Sequence, residues 1–292
     1  MSSTAAEILS QPDTWAWAVS ELPTFAAALP SSGERVAVIG CGTSSYIAEA
    51  YARARENREA GETDAVVASE FGARRPYDRV IAISRSGTTT EVVRALNALA
   101  GRLRSTAISA VADSPVARAA REAVILDAAD EESVVQTRFA TTTLALLRAH
   151  LGEDLSGAIV DARHAVEQPL PVDPGGFERF VFLGTGWSAG LAHEAALKMR
   201  EAAHAWSESY PAMEYRHGPI SLAGPGTLVW HLGPADPDLV GDVEATGASV
   251  VCGALDPMAE LILVQRTAVT LALARGLDPD HPRNLTRSVV LS

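Results

Sequence analysis

Three ionisable side chains recur at helical spacing in the second half of the chain. Glu194, Lys198 and Glu201 lie at positions i, i+4 and i+7 of a segment rich in Ala and Leu, so a helix would place them on one face. Such a face is often a solvated row of ion pairs, each of which stabilises a helix by about 0.3–0.5 kcal/mol. Carboxylates beside an amine can also move protons on a small substrate such as a sugar. From these residues alone, both interpretations stay open.

The surroundings of this segment add a glycine turn and an imidazole. The apolar run Phe180-Val181-Phe182-Leu183 predicts a buried strand, and Gly184-Thr185-Gly186 predicts a tight turn after it. The helix is predicted from Ala189 to His204, and a polar loop that contains His217 follows it. Because α/β proteins commonly bind ligands where a strand, a turn and a helix meet, proton transfer is as good an interpretation as the ion-pair row.

A second cluster combines five hydroxyls, one arginine and one glycine at the start of a predicted helix. It is the segment Ser84-Arg85-Ser86-Gly87-Thr88-Thr89-Thr90, which follows the predicted strand Arg79–Ser84. One hydroxyl suffices to cap a helix, so this density favours a phosphate-binding site. The earlier turn Gly40-Cys41-Gly42-Thr43-Ser44-Ser45 has the same form. It lacks the third glycine of the dinucleotide fingerprint, so we expect no nicotinamide cofactor.

Composition argues against several classes of protein. A formal net charge of −12 without a basic stripe argues against a nucleic-acid partner. The two cysteines, Cys41 and Cys252, lie far apart and match neither a disulfide framework nor a zinc site. The N-terminus lacks the pattern of a signal peptide, and no apolar run reaches about 18 residues. We therefore expect a cytoplasmic protein without a membrane-spanning segment.

The order of the predicted elements indicates the fold class. Strands alternate with helices, which predicts an α/β fold with parallel sheets and with ligands at the carboxyl ends of the strands. The segment Arg35-Val-Ala-Val-Ile-Gly-Cys-Gly-Thr-Ser-Ser matches Arg179-Phe-Val-Phe-Leu-Gly-Thr-Gly-Trp-Ser-Ala position for position, which indicates an internal duplication. A proline-rich linker lies between the copies. We divide the chain into residues 1–165, with N-terminal helices, and residues 166–292, with the C-terminal tail.

Five motifs together resemble one family. They are Cys41-Gly-Thr-Ser, Ser84-Arg-Ser-Gly-Thr-Thr, Glu194-Ala-Ala-Leu-Lys-Met-Arg-Glu, Glu214-Tyr-Arg-His-Gly-Pro and Pro282-Arg-Asn-Leu-Thr-Arg-Ser-Val. From residue 35 to residue 292, the chain resembles the SIS (sugar isomerase) family, and within it the isomerase half of glucosamine-6-phosphate synthase. The resemblance implies two tandem SIS domains, each a parallel sheet flanked by helices, and it implies neither a cofactor nor a metal.

The resemblance also implies a role for each motif residue. The phosphate of a small-molecule phosphosugar would be held by Ser44, Ser84, Arg85, Ser86 and Thr89. The sugar would be contacted by Thr43, Val134, Gln136 and Arg287. The acid–base residues would be Glu201 as the base that shuttles a proton between the first two carbons, Lys198 as its supporting lysine, and Glu194 as a carboxylate beside it. His217 matches a ring-opening histidine that reaches in from a neighbouring subunit, which implies a homodimer.

Four departures from the synthase change these expectations. No glutaminase domain precedes Arg35, so glutamine is not expected to be the nitrogen source within this chain. Arg287 stands where the synthase has a lysine, and arginine is a poor imine-forming nucleophile. Gln136 stands where the synthase has a serine, which predicts a different sugar pocket. Arg85 replaces a glutamine, which should strengthen the grip on phosphate.

These residues lead to one expected function and several alternatives. The expected function is a phosphosugar isomerase or deaminase that acts on an amino-sugar phosphate such as glucosamine 6-phosphate and releases ammonia. The enzyme alternatives are a plain aldose–ketose isomerase and a deglycase that cleaves a sugar–amine adduct. A sugar-phosphate sensor without turnover is the alternative from another class, and it would not need Glu201 or His217.

Overall fold

The computed structural model describes residues 2–72, 75–99 and 101–291, which pack as two units. The first unit is Asp13–Leu155 together with the residues from Thr286 onward. The second unit is Ser156–Leu285 together with the residues up to Pro12. The division that we predicted after residue 165 therefore falls inside a helix, Ser156–Glu167, that belongs to the second unit. The proline-rich stretch predicted as a linker also lies within that unit, because it leads directly into its first strand.

The described strands of the first unit form a five-stranded parallel sheet in the order β2-β1-β3-β4-β5. The strands are β1 (Val36–Gly40), β2 (Thr63–Val67), β3 (Arg79–Ile83), β4 (Arg104–Ser109) and β5 (Glu122–Ile125). The α-helices of the first half of the chain are α1 (Ser3–Leu9), which belongs to the second unit, and then α2 (Gln11–Ser20), α3 (Leu22–Phe25), α4 (Thr43–Asn57), α5 (Thr90–Leu99), α6 (Pro115–Ala119) and α7 (Arg138–His150). Every residue of β1 and β3 is buried, as their continuous apolar runs predict.

The strand order of the first unit locates a crevice for a ligand. The chain winds outward in opposite directions from the neighbouring strands β1 and β3, so their carboxyl ends form a topological switch point. The turn Cys41–Ser45 follows β1, and the hydroxyl-rich segment Ser84–Thr90 follows β3. The fold therefore brings the two predicted phosphate-binding segments to the same edge of one sheet.

The described strands of the second unit form a four-stranded parallel sheet in the order β7-β6-β8-β9. The strands are β6 (Arg179–Gly184), β7 (Trp206–Pro211), β8 (Thr227–Leu232) and β9 (Ser249–Cys252). The helices are α8 (Ser156–Glu167), α9 (Ser188–Ala203), α10 (Pro237–Glu244) and α11 (Pro257–Ala274). The α/β fold with parallel sheets flanked by helices is thus confirmed. The two outer strands β7 and β9 were not predicted, because β7 is mostly polar and β9 is only four residues long.

The repeated strand–glycine–helix pattern has the same steric cause in both units. A Cβ atom at Gly40 would lie 2.8 Å from the backbone oxygen of Ser44, and one at Gly184 would lie 2.3 Å from the backbone oxygen of Ser188. Only glycine lets the helix that follows each strand start so close to the end of that strand. The sequence match between the two segments therefore corresponds to a matching backbone geometry.

The helix α11 bears on the expectation that no segment spans a membrane. Pro257–Ala274 has 18 residues and is, by length and composition, apolar enough to cross a membrane. However, 72% of it is buried inside the protein, and it packs against α8 and α9. Such burial is typical of a core helix, so the helix is weak grounds for a membrane span.

Candidate functional site

The predicted acid–base residues meet on one face of α9 in the second unit. Lys198 Nζ lies 3.2 Å from Glu194 Oε1 and 2.6 Å from Glu201 Oε2. The helical spacing of four and three residues produces this arrangement directly. One ammonium group therefore bridges two carboxylates, one on each adjacent turn of the helix.

This face of α9 is buried, so the solvated ion-pair row that we considered from the sequence is wrong. The side chains of Glu194 and Lys198 are 0% and 1% exposed, and the side chain of Glu201 is 20% exposed. The opposite face is buried as well, because α9 packs against β6, β7 and α11. The difference in exposure matters for chemistry, because Glu201 is the member of the cluster that solvent or a substrate can reach.

Two opposing effects act on the pKa of Lys198. Burial lowers it, but the carboxylates of Glu194 and Glu201 raise it by their charge and hydrogen bonds, and the net pKa lies above its ordinary value. Lys198 is therefore a fixed ammonium ion near neutral pH. In that state it can stabilise negative charge, but it cannot act as a base or as an amine nucleophile.

His217 lies on a turn of the second unit that exposes its ring. It follows the 3₁₀ segment Ala212–Arg216, and its backbone N–H donates to Glu214 O at 3.0 Å. Its imidazole is exposed, as are the side chains of Met213 and Leu222 nearby along the chain. The ring can therefore contact a molecule that binds at this surface of the second unit.

The predicted phosphate-binding residues gather at the carboxyl edge of the first sheet. Ser84 Oγ and Thr89 Oγ1 lie 3.3 Å apart, and Ser84 and Ser44 are both buried. Gly87 has a φ of +64°, and a Cβ there would lie 2.1 Å from Ser114 Oγ, so the loop can close only with glycine at this position. The result is a compact loop whose hydroxyls face one another.

Arg85 belongs to this loop, but its guanidinium is directed at protein groups. The side chain is 1% exposed and forms an ion pair with the buried Glu131 at 3.5 Å. It donates to three backbone carbonyls, those of Ser133 at 2.8 Å, Val134 at 3.4 Å and Arg287 at 2.9 Å. Direct phosphate binding by Arg85 stays a prediction, and the described contacts give the side chain a second role that the sequence did not suggest.

The predicted sugar-binding residues lie in the first unit, near Arg85. Val134 accepts from Arg85 through its carbonyl, and Gln136 follows two residues later in the same loop. Thr43 is buried at the start of α4. The guanidinium of Arg287 donates to Glu131 O at 3.1 Å and to Asp130 Oδ1 at 2.5 Å, so in this structure it is paired with protein oxygens.

Sequence reasoning missed three residues that organise the loop at the edge of the first sheet. Buried Glu131 accepts from the backbone N–H groups of Thr137 and Arg138 at 2.5 and 2.8 Å, and so caps α7 from outside the helix. Asp130 pairs with Arg287, and Ser288 contacts the hydroxyl-rich loop. A carboxylate seven residues before the start of α7 was the available signal for Glu131. No local pattern marks Asp130, and Ser288 lies in the motif at residues 282–289 but was assigned no role.

A separate cavity lies at the carboxyl end of α9. Its volume is about 410 Å³, and it is lined by Arg200, His204, Ala205, Trp206, Ser207, Arg283 and Asn284. Neither Lys198 nor Glu201 is among these lining residues. This cavity therefore does not coincide with the predicted acid–base cluster, which is identified by its charges and interatomic distances instead.

Comparisons with known proteins agree on one family. Residues 30–151 match the SIS domain. The glutamine–fructose-6-phosphate aminotransferase (isomerizing) of Xanthomonas campestris is 31% identical over 88% of this chain and 52% of that protein. The solved structure of a glucosamine-6-phosphate deaminase from Thermotoga maritima is 26% identical, with a TM-score of 0.86 over 99% of this chain and 100% of that one. A tagatose-6-phosphate ketose/aldose isomerase from Escherichia coli, 19% identical with a TM-score of 0.83 over 97% of both chains, shares the fold.

The extent of these matches differs between the two kinds of relative. The chain spans about half the length of the curated aminotransferase that it matches, 52% of that protein. In contrast, it corresponds to the whole of the deaminase chain. The predicted resemblance to the isomerase half of the synthase is confirmed, and the alignment covers most of the chain.

Proposed function

The chain belongs to the SIS family through residues 30–151, and on this premise we propose a phosphosugar isomerase/deaminase. Its substrate class would be an amino-sugar phosphate such as glucosamine 6-phosphate. The observation that carries this proposal is the buried cluster in which Lys198 bridges Glu194 and Glu201 at 3.2 and 2.6 Å. A binding protein without turnover has no need to bury a lysine between two carboxylates, because such burial costs desolvation energy.

The chemistry follows from the different environments of the two carboxylates. Glu201, which is partly exposed, takes the proton from C2 of the open-chain sugar and returns it to C1. The fixed ammonium of Lys198 stabilises the negative charge that develops on the enediol-like intermediate, and buried Glu194 holds that ammonium in place. In an amino sugar this transfer gives a ketimine, which water hydrolyses to the ketose and ammonia.

The phosphate end of the substrate is assigned to the first unit. Ser44, Ser84, Ser86 and Thr89 supply hydroxyl donors at the carboxyl ends of β1 and β3, where α/β folds bind ligands. The start of α5 adds the positive end of a helix dipole, which favours a dianion. We therefore propose two tandem SIS domains, the first of which binds the phosphate group.

Ring opening is assigned to His217, donated by a second copy of the chain in a homodimer. An imidazole ring can both donate and accept a proton, so it can exchange one with the ring oxygen of the sugar. His217 is exposed, as are the apolar side chains of Met213 and Leu222, which supports a protein–protein interface in this region. We propose that the protein works in the cytoplasm and that no cofactor or metal takes part in the reaction.

The test is the turnover of glucosamine 6-phosphate by purified protein, with ammonia and fructose 6-phosphate measured in parallel. Equal amounts of both products are expected. Glu201→Gln should abolish their formation, and Glu244→Gln, which removes an exposed carboxylate of the same unit, should leave the rate unchanged.

The other outcomes separate the alternative functions. Interconversion of aldose and ketose phosphates without ammonia would identify a plain isomerase, and ammonia from a sugar–amine adduct alone would identify a deglycase. Phosphosugar binding without any turnover, unaffected by Glu201→Gln, would overturn the enzyme proposal in favour of a sensor.

A further inference from the structure

The C-terminal segment 286–291, called the tail below, lies on the hydroxyl-rich loop of the first unit. Thr90, the first residue of α5, donates its backbone N–H to Val289 O at 3.3 Å. In return, the backbone N–H of Leu291 donates to Thr90 Oγ1 at 2.9 Å. The tail is thus hydrogen-bonded to a helix start that lies about 200 positions earlier in the chain.

One tail side chain enters the group of hydroxyls itself. Ser288 Oγ lies 3.1 Å from Ser86 Oγ and 2.8 Å from Thr88 Oγ1, and those two atoms are 3.1 Å apart. Three hydroxyls carry three hydrogens, which suffice for the three contacts of this triangle. A phosphate group only accepts hydrogen bonds, so the same hydrogens can rotate to donate to its oxygens.

Arg85 connects the tail to the loop that contains Glu131 and Ser133. Its guanidinium donates to the carbonyl of Arg287, the residue before Ser288, at 2.9 Å, and to the carbonyl of Ser133 at 2.8 Å. Its ion pair with buried Glu131 fixes the guanidinium in this orientation. A planar guanidinium with several donors is suited to joining two backbone segments in this way.

From these contacts we infer that Arg85 is a positioning residue that seats the tail, so that Ser288 supplies a further hydroxyl to the phosphate site. The inference rests on the proposed function and deepens it, because it assigns a new phosphate contact. A tail that blocked the site by imitating phosphate would need an anionic group there. The tail residues 286–291 instead bring two hydroxyls and a guanidinium and no acidic side chain.

Binding of two probes, inorganic phosphate and fructose 6-phosphate, tests the inference by titration calorimetry on the full chain. Ser288→Ala should weaken both about tenfold, because a hydrogen bond to a charged group is lost. Arg85→Gln should weaken them similarly by releasing the tail, and Arg85→Lys should restore only part of the affinity. Arg53→Gln, which removes a partly exposed arginine of the same unit, should change neither affinity.

Amide hydrogen exchange distinguishes release of the tail from a general loss of structure in the variants. Arg85→Gln should speed exchange at the amides of Thr90 and Leu291, which are bonded across the contact, while Ser288→Ala should leave them protected. Unchanged phosphate affinity in either variant would overturn the inference. Tighter phosphate binding would also overturn it, because it would show that the tail obstructs the site. No binding of either probe by the unaltered protein would overturn it together with the phosphate assignment. Phosphate binding without ammonia release would contradict only the proposed function.

Discussion

Lys198 in the second unit and Arg85 in the first are both buried cations beside a buried carboxylate, but their contacts differ. Lys198 lies within 3.2 Å of two carboxylates, Glu194 and Glu201. Arg85 has one carboxylate at 3.5 Å, that of Glu131, and donates to three backbone carbonyls. The lysine therefore places its charge between two carboxylates, and the arginine donates hydrogen bonds to two separate segments of the chain.

This difference indicates what each cation does. A compact ammonium ion produces a strong local field, which is useful next to a carboxylate that must accept and release a proton. A guanidinium with several neutral acceptors determines where backbone segments lie, and contributes little charge to a ligand that it does not touch. Under the proposed function, Lys198 would therefore serve the proton transfer, and Arg85 would hold backbone segments in place.

The largest expected effect comes from removing the charge of Lys198. Lys198→Met leaves Glu194 buried without its countercharge, so we expect a loss of about 3–5 kcal/mol in the free energy of unfolding and no measurable turnover. Urea unfolding followed by circular dichroism gives the first quantity, and the ammonia assay gives the second. Arg53→Met, at a partly exposed ion pair of the first unit, is the control and should change stability by less than about 1 kcal/mol. A stable, active Lys198→Met protein would contradict the role assigned to the cluster.

Glu201→Gln should separate activity from stability within the same cluster. The amide keeps the shape of the side chain but cannot take up a proton, so we expect kcat to fall by about 10²–10⁴-fold. Because the Glu201 side chain is 20% exposed, the unfolding free energy should change less than in Lys198→Met. Steady-state kinetics and urea unfolding of the same preparations provide the comparison. If both substitutions lowered stability equally and left turnover intact, Glu201 would have only a structural role.

The contrast between the two cations also shows where sequence reasoning succeeds. The Glu194–Lys198–Glu201 contacts are local, and helical spacing alone predicted that the three side chains would meet. Their burial was not predictable from that spacing, because it depends on how the rest of the second unit packs around α9. For the same reason the sequence could not choose between a solvated row and a functional cluster.

The contacts of Arg85 show where sequence reasoning fails. Its partners Glu131 and Arg287 are 46 and 202 positions away, and no periodic pattern connects them. A phosphate ligand was therefore the natural interpretation for an arginine in a hydroxyl-rich loop. The strand–glycine–helix repeat was predictable because it is a local steric requirement. The N-terminal residues up to Pro12 belong to the second unit, and the C-terminal residues from Thr286 belong to the first. These assignments depend on contacts between residues far apart in the sequence, so they were not predicted.

His231 extends the comparison to a third buried base, which lies in the core of the second unit. It lies in β8 and is 2% exposed, and among the described residues neither ring nitrogen has a hydrogen-bond partner. Burial lowers its pKa, and the charge of Asp236 offsets this in part. Because the folded-state pKa lies below the unfolded value of about 6.5, the unfolded chain binds more protons below that pH. This group should therefore cost stability progressively as the pH falls below about 6.5, by at most about 1.4 kcal/mol per pH unit.

His231→Leu should remove this contribution and leave stability less dependent on pH between about 5 and 7. Urea unfolding at several pH values measures the slope for the unaltered protein and the variant. Phe182→Leu, which changes a buried side chain of the neighbouring strand β6 and removes no ionisable group, is the control and should retain the native slope. Equal slopes for the unaltered protein and His231→Leu would show that His231 finds a proton acceptor when it becomes charged. In that case all three buried bases, Lys198, Arg85 and His231, would be stabilised in the folded protein by acceptors close to them.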